Sequence, residues 1–162
     1  MMIQDHGTSE ESLSIDRYLS AGLTKHTRIL AGLTKHASTD EETAALAEAV
    51  VLMAGAALEA MLDESAYMSD RVLYDNWEGF RKKSPPAKFE KLRGSRSEEV
   101  RQIWNARIAL SHAEPDNKRT GKVGRVLNPD EAVKIAGLLQ TLANEIWGDH
   151  MPDWFSKNAG LT

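Results

Sequence analysis

The residues best suited to chemistry lie close together, in Ile103-Trp104-Asn105-Ala106-Arg107-Ile108-Ala109-Leu110-Ser111-His112. Histidine is the side chain whose ordinary pKa lies nearest neutrality, so His112 can take the proton of a ribose 2'-hydroxyl or give one to a leaving 5'-oxygen. Arg107 adds a fixed charge. Its planar fork can grip phosphate oxygens and stabilise the charge that builds as phosphorus becomes five-coordinate. With the 2'-hydroxyl as internal nucleophile, such a pair can cleave RNA without a metal ion, a cofactor, or a Cys or Ser nucleophile. Ser111, four residues after Arg107 and on its face, is a candidate for the same phosphate. Asn105, seven residues before His112, is a candidate for orienting the imidazole. Glu59, from a different helix, can reach such a cleft or stand on a solvent-facing edge, and the polarity pattern favours the edge.

The helix that carries these groups constrains how they meet. Val100, Ile103 and Leu110 form an apolar stripe with Arg107 between the last two, so a cation fills a slot that periodicity reserves for the core. It needs a partner or a wet cleft there. His112 lies about 140° further round an ideal helix, so the two converge only if the helix ends at His112 or a second subunit completes the site. Pro115 favours an end near His112, because proline disfavours helical geometry in the residue before it. Ser97-Glu98-Glu99 supplies the start of this helix, which is expected from about Glu98 to Ser111.

Taken in order, the chain reads as helices. Residues 1–11 are polar and acidic and are expected to be a flexible N-terminus. Leu13, Tyr18, Leu19, Leu23, Leu30 and Leu33 suggest the apolar positions of a first helix reaching Lys35, weakened by Gly22 and Gly32. The hexapeptide Ala-Gly-Leu-Thr-Lys-His occurs at Ala21–His26 and again at Ala31–His36, ten residues apart. Ten residues are about 2.8 turns, so the copies are expected to face different directions. His26 and His36 read as solvated surface, since nothing nearby completes a metal-ligand set. Ser38-Thr39-Asp40-Glu41-Glu42 is a capped helix start. The helix from Thr43 to about Met68 is apolar on most faces, as a central bundle helix would be, with Glu48, Gly55, Glu59 and Asp63 as its polar stripe. Asn128-Pro129-Asp130-Glu131 opens a last amphipathic helix to about Gly148. Residues 12–148 then form the helical domain and 149–162 a tail, with packing possible through Trp154 and Phe155. An all-α, four-to-five-helix up-down bundle accounts for the pattern, with no alternating strand, glycine-rich phosphate loop or metal-ligand spacing.

Charge is segregated along the chain. Residues 81–96 hold seven Lys/Arg and one Glu, a net of +6 in a protein whose total is −4. Such segregation creates a directional field. Arg81, Lys82, Lys83 and Lys88, with Lys118, Arg119 and Lys122 after the motif, are the candidate RNA contacts, and Phe89 or Trp77 can stack on a base. The double proline Pro85-Pro86 blocks a continuous helix. An overall negative charge excludes a surface that binds nucleic acid everywhere. With 162 residues, 41% hydrophobic and only 6% aromatic, the composition suits one domain of aliphatic helix packing. The absence of cysteine removes disulfides and thiolate chemistry. No uninterrupted apolar run approaches the roughly 20 residues of a membrane span, and Met1-Met2-Ile3-Gln4-Asp5 is unlike a signal peptide, so a cytoplasmic location without membrane contact is expected.

Trp104-Asn105-Ala106-Arg107-Ile108-Ala109-Leu110-Ser111-His112, followed by a basic loop and a final amphipathic helix, resembles the HEPN superfamily, the nucleotide-binding domains of higher eukaryotes and prokaryotes. Ala56-Ala57-Leu58-Glu59-Ala60-Met61-Leu62 also looks like that family, and the resemblance extends over roughly Leu13 to Trp147. It implies a homodimer that brings two Arg/His pairs into one cleft, metal-independent endoribonuclease activity, and for several members a role as a toxin or in antiviral defence, with a neutralising antitoxin or other protein partner. The resemblance departs at Ile108, where the family usually carries a polar residue, often Asn. Members without activity bind RNA or nucleotides or serve as assembly modules, which is the alternative expectation here. A buried Arg107 paired to Glu59 would favour that alternative. An ordinary helical interaction domain, unrelated to RNA, is a third.

Overall fold

The computed structural model describes residues 19–69, 76–111 and 129–161. Its helices are α1 (Leu19–Leu33), α2 (Asp40–Ser69), α3 (Trp77–Arg81), α4 (Pro85–Arg93), α5 (Glu98–Ser111), α6 (Pro129–Trp147) and α7 (Asp153–Asn158). There is no strand among the described residues. Four of these helices are long and make a bundle. The three short ones exceed the expected four to five: α3 and α4 form before and at the double proline, and α7 in the expected tail.

α2 is the axis of the bundle, packed by α1, α5 and α6 and touched by α4. Thr39 Oγ1 accepts the Glu42 N–H at 3.0 Å, and the Glu42 carboxylate accepts the Ser38 N–H at 3.0 Å. These bonds satisfy donors that the first turn leaves free, while Asp40, Glu41 and Glu42 sit at the positive end of the dipole. Thr39→Ala is expected to cost about 1 kcal/mol. A urea midpoint unchanged from wild type would show that this cap contributes nothing.

Val50, Val51, Ala54, Ala57, Leu58, Met61 and Leu62 of α2 are sealed in the core. By length and composition α2 could also cross a membrane, since 18 consecutive residues within Asp40–Met68 have a mean hydropathy of 1.8. Glu48 and Glu59 interrupt any continuous apolar run here while leaving the mean high. Half of those 18 residues are buried by neighbouring helices, so their apolarity serves the bundle.

α1 reverses two expectations. Its buried positions are Ser20, Ala21, Thr24, Thr27 and Ala31, whereas Leu19, Ile29 and Leu33 are about half exposed. Small residues let α1 approach the alanine-rich side of α2 closely, and larger leucines fit only at the margins. The buried threonine hydroxyls are satisfied locally, Thr24 Oγ1 donating to Ser20 O at 2.8 Å and Thr27 Oγ1 to Leu23 O at 2.7 Å, whereas the buried Ser20 Oγ has no partner among the described residues. The repeated hexapeptides also share one orientation: Ala21 and Ala31, and Thr24 and Thr34, face inward, while Lys25-His26 and Lys35-His36 face water. Ten residues are one heptad plus three, which returns to the same broad stripe.

The basic segment carries a helix that begins at the double proline. Pro85 and Pro86 occupy the first positions of α4, where a missing N–H costs nothing and a fixed φ suits the helix. Gly94, at φ 70°, ends α4 in the left-handed region, and its N–H bonds to Glu90 O at 2.8 Å. Residues beyond Trp147 are not a mere tail. Phe155 and Ala159 are fully buried, with the Trp147 and Phe155 rings 5.5 Å apart. Arg28 fixes this end to α1 by donating from Nη1 to Ala159 O at 3.1 Å and Gly160 O at 2.7 Å.

Candidate functional site

Ser97 starts α5 as expected, its Oγ accepting the Val100 N–H at 3.2 Å. Val100 and Ile103 are fully buried and Ala106 nearly so. That fixes the helix's rotation and turns Arg107 toward α2. The cation in the core slot is accommodated by three features of its surroundings. Gly55 leaves a notch in α2 across which the aliphatic stem of Arg107 lies. One turn further along α2, the Glu59 carboxylate accepts a hydrogen bond from Arg107 Nη1 and forms an ion pair with it. Trp104, three residues back on α5, places its ring 5.1 Å from the guanidinium carbon, within cation–π range. The side chains of Arg107 and Glu59 keep 29% and 36% of their exposure, so the pair is partly desolvated and still reachable from solvent.

Glu59 therefore does not stand on a free solvent edge. The same stripe of α2 receives a second cation one turn on, where Lys88 Nζ donates to Asp63 Oδ1 at 2.7 Å. Lys88 is only 5% exposed in its side chain and lies 5.6 Å from the Phe80 ring centroid. Its assignment as an RNA contact is corrected accordingly: α4 turns that ammonium into the bundle. Phe89 is likewise in the core and cannot stack on a base. Trp77 is half-buried, stacked on Phe80 with centroids 5.8 Å apart.

Of the other expected contacts, Arg81, Lys82 and Lys83 are exposed, and Arg81 lies 3.8 Å from Glu78, an exposed pair of little energetic weight. Asn105 is exposed on a different side of α5 from Arg107, about 200° round by helical geometry. It lines a groove of about 330 Å³ between α5 and α6 with Gln102, Glu131 and Lys134, so it does not join the Arg107–Glu59 cluster. Ser111 is the last residue of α5. His112, Lys118, Arg119 and Lys122 lie outside the described residues. Among the described residues no three His, Asp or Glu side chains converge as a metal-ligand set.

Gly55 and Trp104 carry roles that the spacing of Arg107 and His112 did not expose. The available signal was the place of Gly55 in the polar stripe of α2, four residues before Glu59. The class defined by these observations is, among the described residues, an all-helical bundle with an oriented, part-buried arginine near the end of α5. No family model, curated protein or solved structure matches the chain.

Proposed function

We propose that this chain is a HEPN-type, metal-independent endoribonuclease of the cytoplasm that acts as a homodimer. The observation that carries this reading is the state of Arg107: its stem is seated on Gly55, its guanidinium is oriented by Glu59 and Trp104, and it still reaches solvent. A cation held in one direction before substrate arrives stabilises developing charge without reorganising. In the proposed step the RNA 2'-oxygen attacks phosphorus while His112 takes its proton. The O2'–P bond forms, the P–O5' bond breaks, and the 5'-oxygen takes a proton from the imidazolium of the second subunit. The products are a 2',3'-cyclic phosphate and a 5'-hydroxyl. Exposed Arg81, Lys82 and Lys83 contribute field and affinity.

The test is single-stranded RNA incubated with purified protein in chelator, beside Arg107→Ala and His112→Ala. Cleavage that persists in both variants overturns the assignment. A toxin or defence role predicts in addition that expression arrests bacterial growth and that Arg107→Ala releases it.

The Arg107–Glu59 pair itself favours a second reading, a noncatalytic RNA-binding or assembly module in which this cation is structural. That reading predicts no cleavage by the wild type and loss of the dimer in Arg107→Ala, measured by light scattering.

A further inference from the structure

A Cβ added at Gly55 would fall 2.3 Å from Cδ of Arg107, 3.0 Å from its Cγ and 3.2 Å from its Cβ. The two nearest atoms belong to the stem rather than the mobile tip, and the Arg107 Cβ is fixed by the α5 backbone. No rotamer of Arg107 moves that last atom away. Gly55 is also buried in the middle of α2, where glycine is a poor helix former and alanine the best one. Local propensity therefore opposes glycine at this position, and the crossing of Arg107 explains it. With the stem confined between Gly55 and its own helix, the guanidinium arrives between the Glu59 carboxylate and the Trp104 ring, 5.1 Å from the ring centroid.

We infer that Gly55 is a positioning residue, whose missing side chain is the seat that lets Arg107 cross α2 and present its guanidinium in one orientation. The structural half of this inference stands on packing alone, and its functional half rests on the phosphate-directed role proposed for Arg107. A methyl group at 55 would either force α2 and α5 apart or turn the stem out of the notch, and both move the charge.

The experiment is a thermal double-mutant cycle with RNA binding read on the same proteins. Gly55→Ala is expected to lower the melting temperature by about 5 °C, the scale of overpacking in a domain of this size. In the Arg107→Ala background, where Cγ and Cδ are gone and only the Cβ contact is left, the drop should disappear, and the helix preference for alanine should raise the melting temperature by up to about 3 °C. If Gly55→Ala does not fold, recovery of folding in Gly55→Ala/Arg107→Ala supports the seat. An equal drop in both backgrounds, or a double variant that also fails to fold, overturns it. For the functional half, the slope of log Kd against log salt on single-stranded RNA should flatten by about 0.7 in Arg107→Ala, the value for one lost phosphate contact. Gly55→Ala should flatten it alike, which a purely structural defect would not do. A slope unchanged in Arg107→Ala removes the RNA reading and leaves the thermal cycle to decide the seat. A slope that flattens in Arg107→Ala but not in Gly55→Ala overturns the positioning role.

Discussion

Arg107→Ala is expected to lower the rate of RNA cleavage by about 10²–10³-fold, the usual consequence of removing one preorganised donor from a developing oxyanion. Most of the loss should fall on kcat, with a smaller rise in KM from the lost ground-state phosphate contact, because Glu59 and Trp104 orient this group before RNA binds and its charge matters most as phosphorus gains a fifth oxygen. Lys82→Ala and Lys83→Ala provide the contrast. Both side chains are exposed, so their removal should raise KM, more strongly at low salt than at high, and leave kcat nearly unchanged. Single-turnover rates at saturating RNA separate the two effects. If Arg107→Ala raised KM with kcat unaltered, Arg107 would belong with the affinity-conferring surface cations rather than the reacting centre.

How far this site could be read in advance depended on whether one helix or two decide the outcome. The bounds of α5, the cap at Thr39, and the anomaly of a cation in a core slot depend on local pattern, and the sequence pointed to each of them. The partner of that cation did not follow. Gly55, Glu59 and Asp63 make a polar stripe that on a lone helix reads as a solvent edge, and only the docking of α4 and α5 turns it into a row of ion pairs. Close approach misled in α1 as well, where hydrophobicity ranked Leu19 and Leu33 above Thr24 and Thr27, yet threonines with satisfied hydroxyls fit against small residues and leucines do not. Pro85 and Pro86 break a helix that would run through them, but in the first turn of α4 they start one. The C-terminal residues lacked a periodic pattern long enough to see, although Phe155 turns out to be among the most deeply buried side chains.

The row of pairs on α2 should be unequal in what it contributes to stability, and Asp63 and Lys88 show why. Asp63→Ala is expected to destabilise the fold by about 2–4 kcal/mol, because it strands an ammonium whose side chain is only 5% exposed, with no other carboxylate bonded to it among the described residues. The figure sits toward the lower end for a broken buried pair, since Asp63 retains 32% exposure and solvent already screens the interaction. Lys88→Met should cost less than about 1 kcal/mol. Methionine keeps an apolar stem against Phe80, and the carboxylate it leaves behind can turn toward water. The order of the two variants thus tests where the charge is trapped, and urea denaturation at neutral pH with a common m-value is the measurement. An Asp63→Ala variant no less stable than Glu78→Ala, which breaks only an exposed pair on α3, would mean that Lys88 escapes to solvent and that α4 is not anchored by its charge.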